Sequence, residues 1–121
     1  MQSITEPIVI SDILKYAKKL SETADWEPFR PGVTAHWMYK EDNGGPAAVL
    51  LRYEAGARVA LHEHVGYEHM FVLEGDQYDE FSSYPQGSLA VNPPGTQHSP
   101  GSKSGCLALL IYEKAVRFVD A

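Results

Sequence analysis

The sequence predicts an all-β protein, a small barrel preceded by one short helix. Three observations carry that expectation. Strand-like runs are separated at regular intervals by turn residues, helical periodicity is confined to the first 25 residues, and three histidines fall at spacings that suit facing strands.

The helix comes first. Ser11 is a candidate N-cap, Asp12 stands in the first turn, and Ile13, Leu14, Ala17 and Leu20 recur at helical spacing while Lys18 and Lys19 close the last turn. The apolar stripe is read as the face that packs on the barrel. Residues 1–25 are thus expected to form an extended segment and this helix, and residues 26–121 the barrel, within a single domain. From Trp26 onward, breaks at Pro31-Gly32, Asn43-Gly44-Gly45-Pro46, Ala55-Gly56, Gly75-Asp76, Pro85-Gln86-Gly87 and Pro100-Gly101 delimit the strands. The candidates are Val33 to Lys40, Ala47 to Glu54, Ala57 to His64, Glu68 to Glu74, Gln77 to Ser82, Ser88 to Val91, Gln97 to Ser99 and Cys106 to Glu113. A short strand or tail, Ala115 to Val119, follows. Many short strands at this spacing belong to sandwiches and barrels.

Composition narrows the function. The 121 residues suit one domain, and an apolar fraction of 44% with seven Tyr, four Phe and two Trp supports a packed core. A net charge of −6 without a long basic run disfavours nucleic acid and anionic membrane as partners. A small molecule or a protein is the expected partner. The opening MQSITEPIVI has no basic stretch followed by a sustained apolar run, so a cytoplasmic location is expected. Cys106 is the single cysteine, which excludes an intrachain disulfide and a cysteine zinc finger. Lying in the apolar run CLALLIY, it is read as a small buried hydrophobe.

The chemistry gathers in one ordered pattern, Gly56-x5-His62-x-His64-x3-Glu68-x6-Gly75, then Gly87-x5-Pro93-x-Gly95-x2-His98. Alternate side chains of a strand share a face, so His62 and His64 project the same way. Glu68 opens the next strand and can fold back beside them, and His98 arrives behind the rigid Pro93-Pro94-Gly95 bend. Three imidazoles and a carboxylate suit one divalent transition metal ion, with iron or zinc foremost and manganese or nickel as further options. Four protein ligands leave up to two positions of an octahedral ion for a substrate or dioxygen. Met70 and Val72 share the Glu68 face and are expected to wall a substrate pocket, with Trp37, Tyr53, Phe81 and Tyr112 as further candidates. His69 turns to the opposite face, and His36 is read as a pocket group or an exposed residue. Asp79 and Glu80 are read as a solvated charged turn without a catalytic role.

These residues match the two motifs of the cupin superfamily, which the chain resembles from about Trp26 to Phe118. The resemblance implies a small double-stranded jelly-roll with metal held by His62, His64, Glu68 and His98. One supporting position departs, Ser102 standing where cupins usually carry Asn. The segments VLEGDQYDE, YPQGSLAVNPPGTQHSP and GCLALL are similar to the cupin-like domain of ChrR-type anti-sigma factors and its stand-alone relatives, which include diketone-cleaving dioxygenase-like proteins. Two functions are thereby implied. One is a non-haem, metal-dependent dioxygenase-like enzyme acting on a small chelating substrate of the diketone or enolate type. The other is a zinc-binding sensory or ligand-binding module without catalysis. A single cysteine and about twenty-five residues before the barrel argue against a complete anti-sigma factor, and the resemblance further implies a homodimer.

Overall fold

Alternating burial along the strands sorts the apolar residues onto two faces of one large sheet, and the computed structural model, which describes residues 4–119, shows what covers each face. One helix, α1 (Ile13–Thr23), precedes ten strands. In chain order these are β1 (Glu27–Arg30), β2 (Val33–Lys40), β3 (Ala47–Tyr53), β4 (His62–Glu63), β5 (Glu68–Tyr78), β6 (Ser83–Pro85), β7 (Leu89–Asn92), β8 (Gln97–His98), β9 (Cys106–Tyr112) and β10 (Arg117–Phe118). The large sheet runs β1-β2-β3-β9-β5-β6, with β7 paired to the first half of β5, and a small sheet runs β10-β4-β8. All the pairings are antiparallel. The architecture is a small jelly-roll, as the sequence predicts. Among the described residues, side-chain packing rather than a continuous ring of hydrogen bonds brings its two sheets together.

The inner face carries Val33, Ala35, Val49, Leu51, Tyr53 and Cys106, which pack with Val59 and with Phe118 of the small sheet. The outer face carries Leu50, Leu73 and Leu107, which pack beneath Ile13, Ala17 and Leu20 of α1. This explains why β3 is buried at nearly every position, since a strand covered on both sides shows no alternation. Each fully buried leucine here contributes about 2 kcal/mol through removal of apolar surface from water.

The ends of α1 differ from the sequence expectation. Asp12, not Ser11, is the N-cap, and its side chain accepts from the Lys15 N–H. Leu14 is 39% exposed, so the buried stripe is Ile13, Ala17 and Leu20. The helix continues to Thr23, and its last turn contains no basic residue. Instead Arg52 donates to the Ser21 carbonyl at 2.7 Å while stacking on Trp26, whose indole N–H donates to the same oxygen. Two donors from distant elements thus satisfy a carbonyl that the helix end leaves unpaired.

Two strand expectations also change. Ala57 to His64 is largely irregular, with only His62 and Glu63 in a strand, because its partner β8 is equally short. Gly75-Asp76, read as a break, lies inside the 11-residue β5. A bulge between Val72 and Glu74 and a left-handed Gly75, φ 76°, bend that strand without ending it. The bulge shifts the alternation by one, so Met70 and Val72 face inward at even positions and Gln77 at an odd one. Among the described residues, no helix is long and apolar enough to cross a membrane.

Candidate metal centre

Antiparallel pairing of β4 with β8 sets His62 directly opposite His98. The pairing continues past the strand end, where the His64 N–H donates to Thr96 O at 2.9 Å and its carbonyl accepts from Gly95 N–H at 2.8 Å. His62 and His64 share a face, and the three rings converge with centroids 4.7 Å apart for His62–His98 and His64–His98 and 5.4 Å for His62–His64. One ring nitrogen from each lies within 4.8 Å of the others. All three side chains are buried.

The second nitrogen of each ring fixes its tautomer. His62 Nδ1 meets the Ala60 carbonyl at 3.0 Å, and His98 Nδ1 meets Asp79 Oδ2 at 3.0 Å, so both donate. Thr96 Oγ1 already donates to Pro93 O, so at 2.9 Å from His64 Nδ1 it accepts. Three Nδ1–H groups are thereby committed, and three Nε2 lone pairs are left to face one another. Glu68, the first residue of β5, brings Oε1 to 3.4 Å from His64 Nε2. The two atoms are within reach but not in hydrogen-bond geometry, and His64 Nε2 is the single buried side-chain polar atom without a partner among the described residues.

Orphaned lone pairs beside a buried carboxylate are unfavourable unless a cation joins them. The donor set therefore fits a divalent transition metal ion. Burial lowers the His62 pKa below its ordinary value, and the neighbouring His98 and His64 push the same way against the Ala60 carbonyl. The imidazole is held neutral, the form that ligates metal.

Asp79, read from sequence as a solvated turn residue, is the second carboxylate of the site. Its Oδ1 accepts from the Phe81 and Ser82 N–H groups and its Oδ2 from Tyr84 Oη and His98. Burial opposes its charge, yet the donors, His98 foremost, hold its pKa below the usual carboxylate range. Glu80 accepts from the Ser99 N–H, next to His98. The signal was present in sequence as Asp79-x2-Ser82, an Asx-turn pattern, but its register with His98 was not.

A cavity of about 440 Å³ opens from the centre, with His62, Glu68 and His98 in its lining. Trp37, Tyr53, Met70 and Tyr112 line it as well. Val72 does not line it, because it is fully buried against Ala108. Phe81 does not either, being 78% exposed at the turn after Asp79. Gln77, unmarked by sequence, lines the cavity because of the β5 bulge. His36 faces the N-terminal segment and pairs with the Asp25 carbonyl, and His69 is exposed on the outer face. Cys106 is buried, which raises its pKa to about 11 and leaves it a thiol. Ser102 is fully buried and donates to the Asp76 carbonyl, tying the loop before β9 to β5 without touching the rings.

The family model of the ChrR cupin-like domain matches residues 18–116. The chain belongs to that family. Solved structures share its fold. A chain in the crystal structure of Rhodobacter sphaeroides SigE in complex with the anti-sigma ChrR is 22% identical, with a TM-score of 0.69 over 90% of this cupin and 70% of that chain. An acetylacetone dioxygenase from Acinetobacter johnsonii is 17% identical, with a TM-score of 0.75 over 99% and 81%. An RmlC-like cupin protein from Ralstonia eutropha JMP134 is 20% identical, with a TM-score of 0.73 over 82% and 69%. A comparison with curated proteins finds no match.

Proposed function

We propose that this cupin binds one divalent transition metal ion through His62, His64 and His98, with Glu68 as the fourth ligand, and acts as a metal-dependent dioxygenase-like enzyme on a small chelating substrate of the diketone or enolate type. The observation that carries the reading is the cluster of three tautomer-fixed Nε2 atoms at the edge of a 440 Å³ cavity. A purely structural ion would need no such space beside it. A redox metal bound there would supply dioxygen activation and would polarise the substrate oxygens.

The chain's own residues do the rest. Met70, Leu110 and Trp37 give the cavity an apolar wall that excludes water and orients the substrate body. Glu68, also hydrogen-bonded by Asn92, adds negative charge to the donor set and favours a divalent ion. Asp79 keeps the proton of His98 on Nδ1 and so keeps Nε2 available. Cytoplasmic location and homodimerisation belong to the same proposal, the exposed Ile8 and Val9 being available to cover a neighbour's sheet edge.

Family membership favours a second reading, a zinc-binding sensory or ligand-binding module without catalysis. Metal analysis of protein purified anaerobically, followed by oxygen-consumption assays with β-diketones, separates the two. Near-stoichiometric iron with diketone-dependent oxygen uptake is the expected outcome. Retained zinc that Fe(II) does not displace, with no uptake, would transfer the case to the sensory module. His64→Ala and His98→Ala should each abolish tight metal binding while the circular dichroism stays β-rich, and full metal occupancy in either would overturn the ligand assignment.

A further inference from the structure

The Tyr53 ring packs in the inner core, but its hydroxyl and the buried Gln77 amide are polar groups that neither apolar packing nor the metal ligands explain. The two residues are 4% and 2% exposed, and both line the cavity. Tyr53 points inward with Val49 and Leu51, and Gln77 is turned inward by the β5 bulge. His64 Nε2 is the one sealed side-chain polar atom without a partner among the described residues, so any polar group of Tyr53 or Gln77 that lacks a protein partner has access to the cavity that both residues line. Phenylalanine and leucine would fill the same volumes without the cost of burying a hydroxyl and an amide. Polar atoms kept there call for a partner that the chain itself does not supply.

The chemistry of that partner is constrained. Burial first, then Cys106 and Glu68, raise the Tyr53 pKa far above its ordinary value, so the hydroxyl remains a donor. Arg30 stacks on Phe29 and Phe118, and Lys40 on Trp37, so both cations, themselves exposed, are held by aromatic rings of the lining. An anionic group beside Tyr53 would meet neutral dipoles and the Glu68 carboxylate. We propose that Tyr53 and Gln77 form a polar contact point selecting ligands that carry a neutral acceptor oxygen, such as a ketone, ester or amide carbonyl, set back from their metal-binding end. The proposal rests on the metal-centred reading above but not on turnover.

Zinc-loaded protein titrated calorimetrically with three hydroxamates tests it. Hexanohydroxamate has an apolar tail, 4-oxopentanohydroxamate a ketone and succinate monohydroxamate a carboxylate. The wild type should bind the ketone probe about fivefold tighter than the apolar one, the effect of one or two neutral hydrogen bonds, and the carboxylate probe more weakly than the ketone. Tyr53→Phe and Gln77→Leu should each reduce the ketone preference toward unity, with zinc content and apolar-probe affinity unchanged. If Gln77→Leu fails to fold, Tyr53→Phe, which deletes one oxygen, decides alone. Equal wild-type affinities, a preference that survives Tyr53→Phe, or a carboxylate probe that binds tightest would each overturn the proposal and leave the metal site standing. Failure of all three probes to bind zinc-loaded protein would instead remove the metal-centred reading, and this proposal with it.

Discussion

The carboxylate of Asp79 joins the turn after β5 to His98 on β8, linking two segments that lie nineteen residues apart. Because its other oxygen is held by two backbone N–H groups, the carboxylate reaches His98 in a fixed position. Asp79→Asn keeps the shape but loses the charge, and its amide can present a donor where the ring needs an acceptor. Metal affinity, measured by competition with a chromophoric chelator, should fall roughly 10- to 100-fold with the fold intact. Unchanged affinity would mean that backbone pairing of β4 and β8 alone orients the ring. The shared face of His62 and His64 is legible from sequence because strand alternation sets it locally, and His98 through the rigid Pro93-Pro94-Gly95 bend that precedes it. Asp79 is not, since its role depends on a long-range approach with no local pattern. Phe81 erred in the opposite direction, an aromatic residue assigned to a pocket that the Asp79 turn directs into solvent.

At the scale of elements, the bulge and bend of β5 turn Gln77 into the cavity lining. The bend at Gly75 carries the strand close to β9, and a Cβ there would lie 2.1 Å from the Gly105 carbonyl oxygen and 3.0 Å from Cys106 Cα. Both obstacles are backbone and cannot rotate away. Gly87 has a similar left-handed φ of 90° but nothing within 4 Å of such a Cβ. Gly87→Ala should cost about 1 kcal/mol, the conformational term alone. Gly75→Ala adds a main-chain clash and should cost roughly 3 kcal/mol or more. Urea unfolding of the two variants checks the difference, and equal midpoints would show that β5 shifts freely. The sequence marks glycine at both positions alike, so Gly75 reads as a strand break there. Which glycine faces open space and which faces another strand is a tertiary fact. The same holds for α1, whose C-terminal cap comes from Arg52 on β3.

Over the whole molecule, the centre spans both sheets, with Glu68 from the large one and His62 and His98 from the small one. The small sheet consists of two-residue strands, so few of its own hydrogen bonds hold it. A bound ion would cross-link what backbone pairing leaves weak, and removing it should destabilise the fold. With metal at a hundredfold excess over its dissociation constant, the gain is about 3 kcal/mol, or roughly 10 °C in Tm. Acid should reverse it in a defined order. His62 has a folded-state pKa below its ordinary 6.5, so the unfolded chain takes up the proton first. Its contribution is present above pH 6.5 and is lost as pH falls through the lower folded value. Asp79 is also depressed below its ordinary 3.8, so its contribution survives to more acidic conditions and is lost only beneath that value. Calorimetric scans of metal-loaded and chelator-treated protein from pH 7.5 downward should therefore converge at a pH below 6.5, where protons displace the metal while Asp79 remains ionised. A metal-dependent difference in Tm that persisted below pH 4 would assign the ion to carboxylates rather than to the three imidazoles.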